Sequence, residues 1–409
     1  MKIIFNLNKS LKSIATLIFA CAFMTYANAA EYMHNREYLT GADLKQNHYS
    51  FAFSIDKDMS STGSADFALS AIEGYRMLDD KFISNSDSIF VRGLGYFTRF
   101  IFTQFIMVAQ HEIGGHGYRA RESGVKVRSY EINLLDGSGS TSLNAAQFNK
   151  LHIHEKIAID TGGMQATYLL SQKISDRYFD QREINPTLGI AYAFSSLDQP
   201  MYIYTTKKGT LHKNDGNDVA NYIKGVNSGG GANPLTLSKM RGFAAVDLLD
   251  PLLYFSLYSY IFNENIAVPM IEFNGYGYLP AFRSVLAPFG PEYRFINHIR
   301  LNETYLRVHL GYGKNKKAKA YHAGVKTNYF LKYDNFALGG ELDLWRGPEL
   351  LTIGLAKQKV GGLVELNSKL STMKDIALLF SVGYKTNGFI EGRPLKKSMM
   401  IRAGLEFKI

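Results

Sequence analysis

Met399-Met400-Ile401-Arg402-Ala403-Gly404-Leu405-Glu406-Phe407-Lys408-Ile409 ends the chain on an alternation of apolar and polar positions. Met399, Ile401, Ala403, Leu405, Phe407 and Ile409 fall on one side of an extended chain and Arg402, Glu406 and Lys408 on the other, because successive strand side chains point to opposite faces. The same period recurs upstream at Leu306, Val308, Leu310 and Tyr312, at Val325, Thr327, Tyr329 and Leu331, and at Phe336, Leu338, Leu342 and Leu344. It recurs again at Leu351, Ile353 and Leu355, at Val364, Leu366 and Leu370, and at Ile376, Leu378, Phe380, Val382 and Tyr384. The pattern predicts about seven strands of roughly ten residues, filling 299–409. Strands of that length with one apolar face and interface aromatics, the last running to the end of the sequence, fit an outer-membrane-type β-barrel. A soluble antiparallel sheet packed on helices by one face uses the same alternation. Barrels of this type take an even strand count, and 48–55, with Tyr49, Phe51, Phe53 and Ile55 on one side, supplies the strand that makes about eight. It is expected to pair with the terminal strand, which removes both edges.

Between 64 and 298 the periodicity is helical. Segment 64–82 places Phe67, Leu69, Ile72 and Met77 among its apolar positions, and 88–116 is apolar but interrupted by Arg92 and Arg99. That interruption predicts a buried or interfacial helix pair rather than a membrane span. Segments 149–174 and 240–262 also read as helical, whereas 205–238 is polar, carries Gly225, Gly229, Gly230 and Gly231, and reads as a mobile loop over a site. The expected fold class is α+β: a helical body over 64–298 after a lead-in and first strand over 30–63, followed by an antiparallel β-domain or small barrel over 299–409.

Within the helical part an apolar run, 100–109, ends in His111-Glu112-Ile113-Gly114-Gly115-His116-Gly117. Two histidines flanking a glutamate resemble the zinc-protease signature, in which the histidines bind metal and the glutamate is the general base. The usual spacing is i, i+4, and here it is i, i+5. Five residues turn a regular helix by about 500°, which separates the imidazoles, whereas a π-distorted turn returns them to one side. Gly114-Gly115 is where such a distortion costs least. The seven residues are similar to the His-Glu-x-x-Gly-His-Gly motif of zinc exopeptidases of the dipeptidyl peptidase III type. That resemblance implies His111 and His116 as zinc ligands and Glu112 as base and leaves fold and substrate open; the helical body is separately expected to be zincin-like. The resemblance covers only this motif, and the downstream Glu-Glu-x-x-Ala-Glu cluster of that family has no counterpart here. For a third ligand, Asp160 stands among Ile157, Ala158, Ile159, Met164 and Ala166, and a buried carboxylate needs a cation, a metal or hydrogen-bond donors. Glu155 is the other choice, and Arg119 or Arg121 are alternative partners for Asp160.

The N-terminus carries Lys2, Lys9 and Lys12, an apolar run over 14–24 and Ala27-Asn28-Ala29, the pattern of a cleaved secretory signal over 1–29. Cys21, the single cysteine, falls inside it, so the exported chain relies on its core, a metal or the membrane rather than on disulfides. A net charge of +10 suits a solvated basic surface or anionic lipid, and no nucleic-acid motif accompanies it. The reading is an exported, envelope-associated zinc-dependent hydrolase, a metallopeptidase acting on peptide or protein. It belongs in the periplasm or outer membrane of a Gram-negative-type envelope, with outer-membrane lipid as a partner. The alternative is a non-catalytic outer-membrane barrel or adhesive surface protein.

Overall fold

The computed structural model describes residues 49–84, 88–133, 137–212, 216–228, 234–302, 304–315, 318–351 and 357–409. The signal segment 1–29, the lead-in up to 48 and most of the strand expected over 351–355 lie outside them. The chain is mixed helix and sheet. Strand β1 (Ser50–Asp56) leads into α1 (Ser61–Asp79), capped by Ser60, whose side chain accepts from the Gly63 amide. Then come α2 (Ile89–Ala109), a π-helix (Gln110–Gly117), α3 (Tyr118–Glu122), and a hairpin of β2 (Val127–Ile132) and β3 (Gly139–Leu143). Helices α4 (Ala145–Asn149), α5 (Ile153–Asp160), α6 (Gly162–Gln181), α7 (Pro186–Thr205), α8 (Asp218–Ser228), α9 (Leu237–Ala244) and α10 (Pro251–Phe262) follow, with the two-residue strand β4 (Glu183–Ile184) between α6 and α7. Asn185 and Asp250 cap α7 and α10, each followed by a proline at the first helical position, where its missing N–H costs nothing.

The rest is sheet. After β5 (Ile266–Ala267) come β6 (Ile271–Phe273), β7 (Tyr276–Ala287), β8 (Gly290–Leu301), β9 (Thr304–Asn315), β10 (Ala318–Tyr333), β11 (Phe336–Pro348), β12 (Gln358–Met373), β13 (Ile376–Lys385) and β14 (Ser398–Lys408). They form one ten-stranded antiparallel sheet, ordered β1-β14-β13-β12-β11-β10-β9-β8-β7-β6. The expected pairing of first and last strands is present, with Phe51 opposite Phe407 and Phe53 opposite Leu405. The expected count and boundary are not. Among the described residues the sheet has ten strands with β1 and β6 at its ends, rather than a closed barrel of eight. It begins well before residue 299, because β7 and β8 occupy a stretch assigned to the helical body.

The sheet's two faces are inverted relative to a water-soluble sheet. On the inner face Arg294, His298, Arg307, His322, Asp343, Glu365 and Glu406 are buried, while Leu310, Leu342, Leu344, Val364, Leu366, Phe380 and Val382 point outward and are exposed. A buried, unpaired charge costs several kcal/mol, so the inner face is laced with pairs. Arg294 holds Glu292 at 2.7 Å and Glu391 at 2.9 Å, Arg307 holds Asp176 of α6 at 3.1 Å, and Arg393 holds Glu365 at 2.8 Å. The helices lie against this lined face. Their own apolar core joins α1, α6, α7 and α10 through Ile72, Leu170, Ile174, Tyr178, Leu188 and Leu252. Helix α2 likewise keeps Ile89, Phe90, Leu94 and Phe97 exposed. Among the described residues no helix is long and apolar enough to cross a membrane.

Candidate metal centre

Helix α2 continues without a break into the π-helix Gln110–Gly117. The wider turn does what the i, i+5 spacing requires. The His111 and His116 rings lie 5.0 Å apart, and one ligand atom from each of His111, Glu112 and His116 falls within 4.8 Å of the others. The glycines act differently from expectation. Neither Gly114 nor Gly115 has a positive φ. They are needed for closeness: a Cβ on Gly115 would sit 2.4 Å from the Gly163 Cα, and one on Gly163 would sit 2.1 Å from the His111 ring. The start of α6 thus presses its Gly162-Gly163 against the π-helix and sets the His111 imidazole. Gly163→Ala is therefore expected to destabilise the fold by about 1–3 kcal/mol through overpacking and to weaken zinc binding, both read by thermal unfolding with and without zinc. Unchanged melting and unchanged affinity would contradict this packing.

Both histidines direct Nε2 at one carboxylate oxygen. His111 Nε2 is 3.3 Å and His116 Nε2 3.2 Å from Asp218 Oδ2, at the start of α8. The other ring nitrogens are held from behind. His116 Nδ1 lies 2.6 Å from the Ile159 carbonyl, and His111 Nδ1 lies 2.9 Å from Asp198 Oδ2 on α7. The Ile159 carbonyl is in the last turn of α5, where helical partners run out. A carbonyl only accepts, so His116 Nδ1 carries the hydrogen and Nε2 faces the Asp218 carboxylate, whose charge, against burial, raises the His116 pKa and favours a proton there when no metal is bound. Lone pair facing lone pair is stable only with a proton or a metal ion between them. Ligands at about 2.0–2.1 Å around a tetrahedral zinc stand about 3.3 Å apart, which matches both Asp218 distances. The residues present fit a zinc ion, with Asp198 and the Ile159 carbonyl as the outer partners that fix ring orientation.

Asp160, the carboxylate singled out in the sequence, sits beside this group but not in it. Burial, with the Asp218 charge adding, pushes its pKa up to about 7, while His116 and a hydrogen bond from Asn221 work the other way. Asp218, rather than Asp160, is the carboxylate that both imidazole Nε2 atoms contact. Glu155 is turned elsewhere: it accepts from the His152 amide at 3.0 Å and pairs with Lys396 at 2.9 Å. Arg119 is engaged with Gln165 and Glu122 rather than with Asp160. Glu112 is buried, and its Oε2 accepts from Thr141 Oγ1 of β3 at 2.6 Å. That bond fixes one carboxylate oxygen beside the histidines and leaves the other for chemistry. Tyr202 of α7 stacks on His111 with ring centroids 6.0 Å apart.

Burial disfavours a charged imidazole at His111, but Asp198 and then Asp218 outweigh it and hold its pKa well above the ordinary histidine value. Burial also disfavours charge on Asp218, yet the two histidines bring its pKa down to about 2. In metal-free protein these carboxylates favour the imidazolium form of His111 and, through Asp218, of His116. Metal ligands must be deprotonated, so zinc binding is expected to release protons and to weaken as pH falls. Calorimetry in buffers of different ionisation enthalpy reads the sign, and proton uptake on zinc binding would contradict it.

Sequence reasoning missed Asp218, Asp198 and Thr141. The segment read as a loop over 205–238 holds α8, whose Val219, Tyr222, Ile223 and Val226 are buried at helical spacing. Asp198 lies within an apolar helix, the same signal that drew attention to Asp160. Compared with family models, curated proteins and solved structures, the chain finds no match.

Proposed function

We propose that this chain is an exported, envelope-associated zinc-dependent hydrolase, a metallopeptidase, seated with its apolar outer face in outer-membrane lipid. The observation that carries the catalytic reading is the meeting of the His111 and His116 Nε2 atoms on Asp218 Oδ2, each ring held from behind through Nδ1. A zinc ion held there would act as a Lewis acid and lower the pKa of water at the site toward neutrality. Glu112, anchored by Thr141, takes the proton from the attacking water and returns it to the leaving amine. Asp218 contributes the negative ligand, and Asp198 keeps His111 in the ligating tautomer. The likeness of the motif to the dipeptidyl peptidase III type supports peptide as the substrate class.

The membrane reading is supported by the exposed apolar outer face of the sheet and by the exposed phenylalanines and leucine of α2. Water-soluble monomers rarely expose apolar surface beyond a few hundred Å². A purely structural outer-membrane protein would share that surface but leaves the converging ligand atoms without a purpose.

The test is hydrolysis of a quenched-fluorescence peptide library by the full chain in detergent micelles. Cleavage that stops with 1,10-phenanthroline and returns with zinc is expected. Zinc-loaded protein that cleaves no peptide would overturn the peptidase reading. Failure to stay with phospholipid vesicles through alkaline carbonate washing would overturn the membrane reading.

A further inference from the structure

We propose a second transition-metal site, separate from the first, on the inner face of the sheet at His309 of β9, His322 of β10 and Asp343 of β11. The three residues come from adjacent strands and meet on one oxygen. His309 Nε2 lies 3.1 Å and His322 Nε2 3.2 Å from Asp343 Oδ1, and the two nitrogens are 3.5 Å apart. All three separations are near the roughly 3.3 Å between ligands of a tetrahedral zinc.

The register shows how the sheet makes room. Gly324 of β10 is opposite His309 on one side and Asp343 on the other, and His322 is two residues along, on the same face. A Cβ at Gly324 would fall 2.0 Å from Asp343 Oδ1 and 2.4 Å from the His309 ring. Only glycine lets the flanking side chains close over this position.

A second observation points to a ligand. Asp343 is 1% exposed, and its Oδ2 is buried with no hydrogen-bond partner among the described residues. Leaving a buried carboxylate oxygen unsatisfied is costly, and a cation at the site offsets that cost. Around His322, Glu292 Oε1 lies 3.5 Å from Nδ1 and Arg294 Nη2 3.2 Å from the same nitrogen. A metal on Nε2 requires the hydrogen on Nδ1, so Glu292 becomes its acceptor and Arg294 turns its donor away, toward Glu292 and Glu391, which it already holds. With Arg294 so turned, Glu292, His322 and the ion would form the carboxylate–histidine–metal arrangement in which the outer carboxylate sets the tautomer. Two imidazoles and a carboxylate suit zinc and the neighbouring divalent ions cobalt and nickel better than magnesium or calcium.

The experiment uses the full chain in detergent, stripped of metal and titrated with Co²⁺, with metal content and visible absorption as readouts. The parent is expected to take two ions per chain. The His111→Ala/His116→Ala variant removes the first site and is expected to keep one ion, with the absorption of a low-coordinate nitrogen–oxygen site. Adding His322→Ala to that variant is expected to abolish binding, and adding Glu292→Gln to weaken it by about 10–100-fold. Because the first-site variant leaves the inner face of the sheet untouched, its failure to bind any Co²⁺ overturns the proposal. So does retention of the ion after His322→Ala. Neither result depends on whether the protein hydrolyses peptides.

Discussion

Asp218→Asn is expected to cost the protein one zinc per chain, while Asp160→Asn keeps it. Both histidine Nε2 atoms contact Asp218 Oδ2, so the substitution removes a charged ligand and leaves a neutral amide oxygen among buried imidazoles. Loss of an outer partner alone costs roughly 10–100-fold in metal affinity, and loss of one of three protein ligands is expected to exceed that. Asp160 interacts with Asp218 and His116 through its charge and accepts a hydrogen bond from Asn221. Metal analysis after dialysis, with competition titration for affinity, separates the two variants. Zinc kept by Asp218→Asn and lost by Asp160→Asn would reverse the assignment.

Glu112→Gln is expected to keep that zinc and to lower hydrolysis by about 10²–10⁴-fold, the usual contribution of a positioned general base. The amide is the same size as the carboxylate, and its oxygen still accepts from Thr141 Oγ1, so the fold and the metal ligands are spared. What is lost is the ability to take a proton. Steady-state turnover at matched zinc content measures the effect. A variant as active as the parent would remove Glu112 from the mechanism.

Alternation of period two makes most of the sheet legible, because it depends only on strand geometry, and it places β1 beside β14. It does not distinguish inside from outside. Arg307 and Asp343 look like solvent-facing positions in the sequence, yet both are buried, Arg307 against Asp176 of α6, while Leu310 and Leu342 are exposed. Strands β7 and β8 escaped for a related reason. Their inward positions mix Leu279, Ala281 and Val285 with Arg283, Arg294 and His298, and prolines at 280 and 291 interrupt the pattern.

In the site, the i, i+5 histidine spacing itself demanded a widened turn, since the chemistry needs both rings on one side. The third ligand was not readable in the same way. Asp218 stands over a hundred residues from His111, on α8. Its apolar spacing was overshadowed by the adjacent run Gly229-Gly230-Gly231, which has no bearing on the helix that precedes it. Asp198 could have been found by the burial argument applied to Asp160, because Ile190, Ala191, Ala193 and Ile203 of the same helix are buried.

The central claim is that one metal ion sits among His111, His116 and Asp218. Anomalous diffraction recorded on both sides of the zinc absorption edge, from crystals of the full chain grown with stoichiometric zinc, tests it directly. The account predicts an edge-specific peak about 2.0–2.2 Å from His111 Nε2, His116 Nε2 and an Asp218 carboxylate oxygen, with Glu112 outside bonding distance. Zinc-loaded crystals with no anomalous peak between these residues would contradict it.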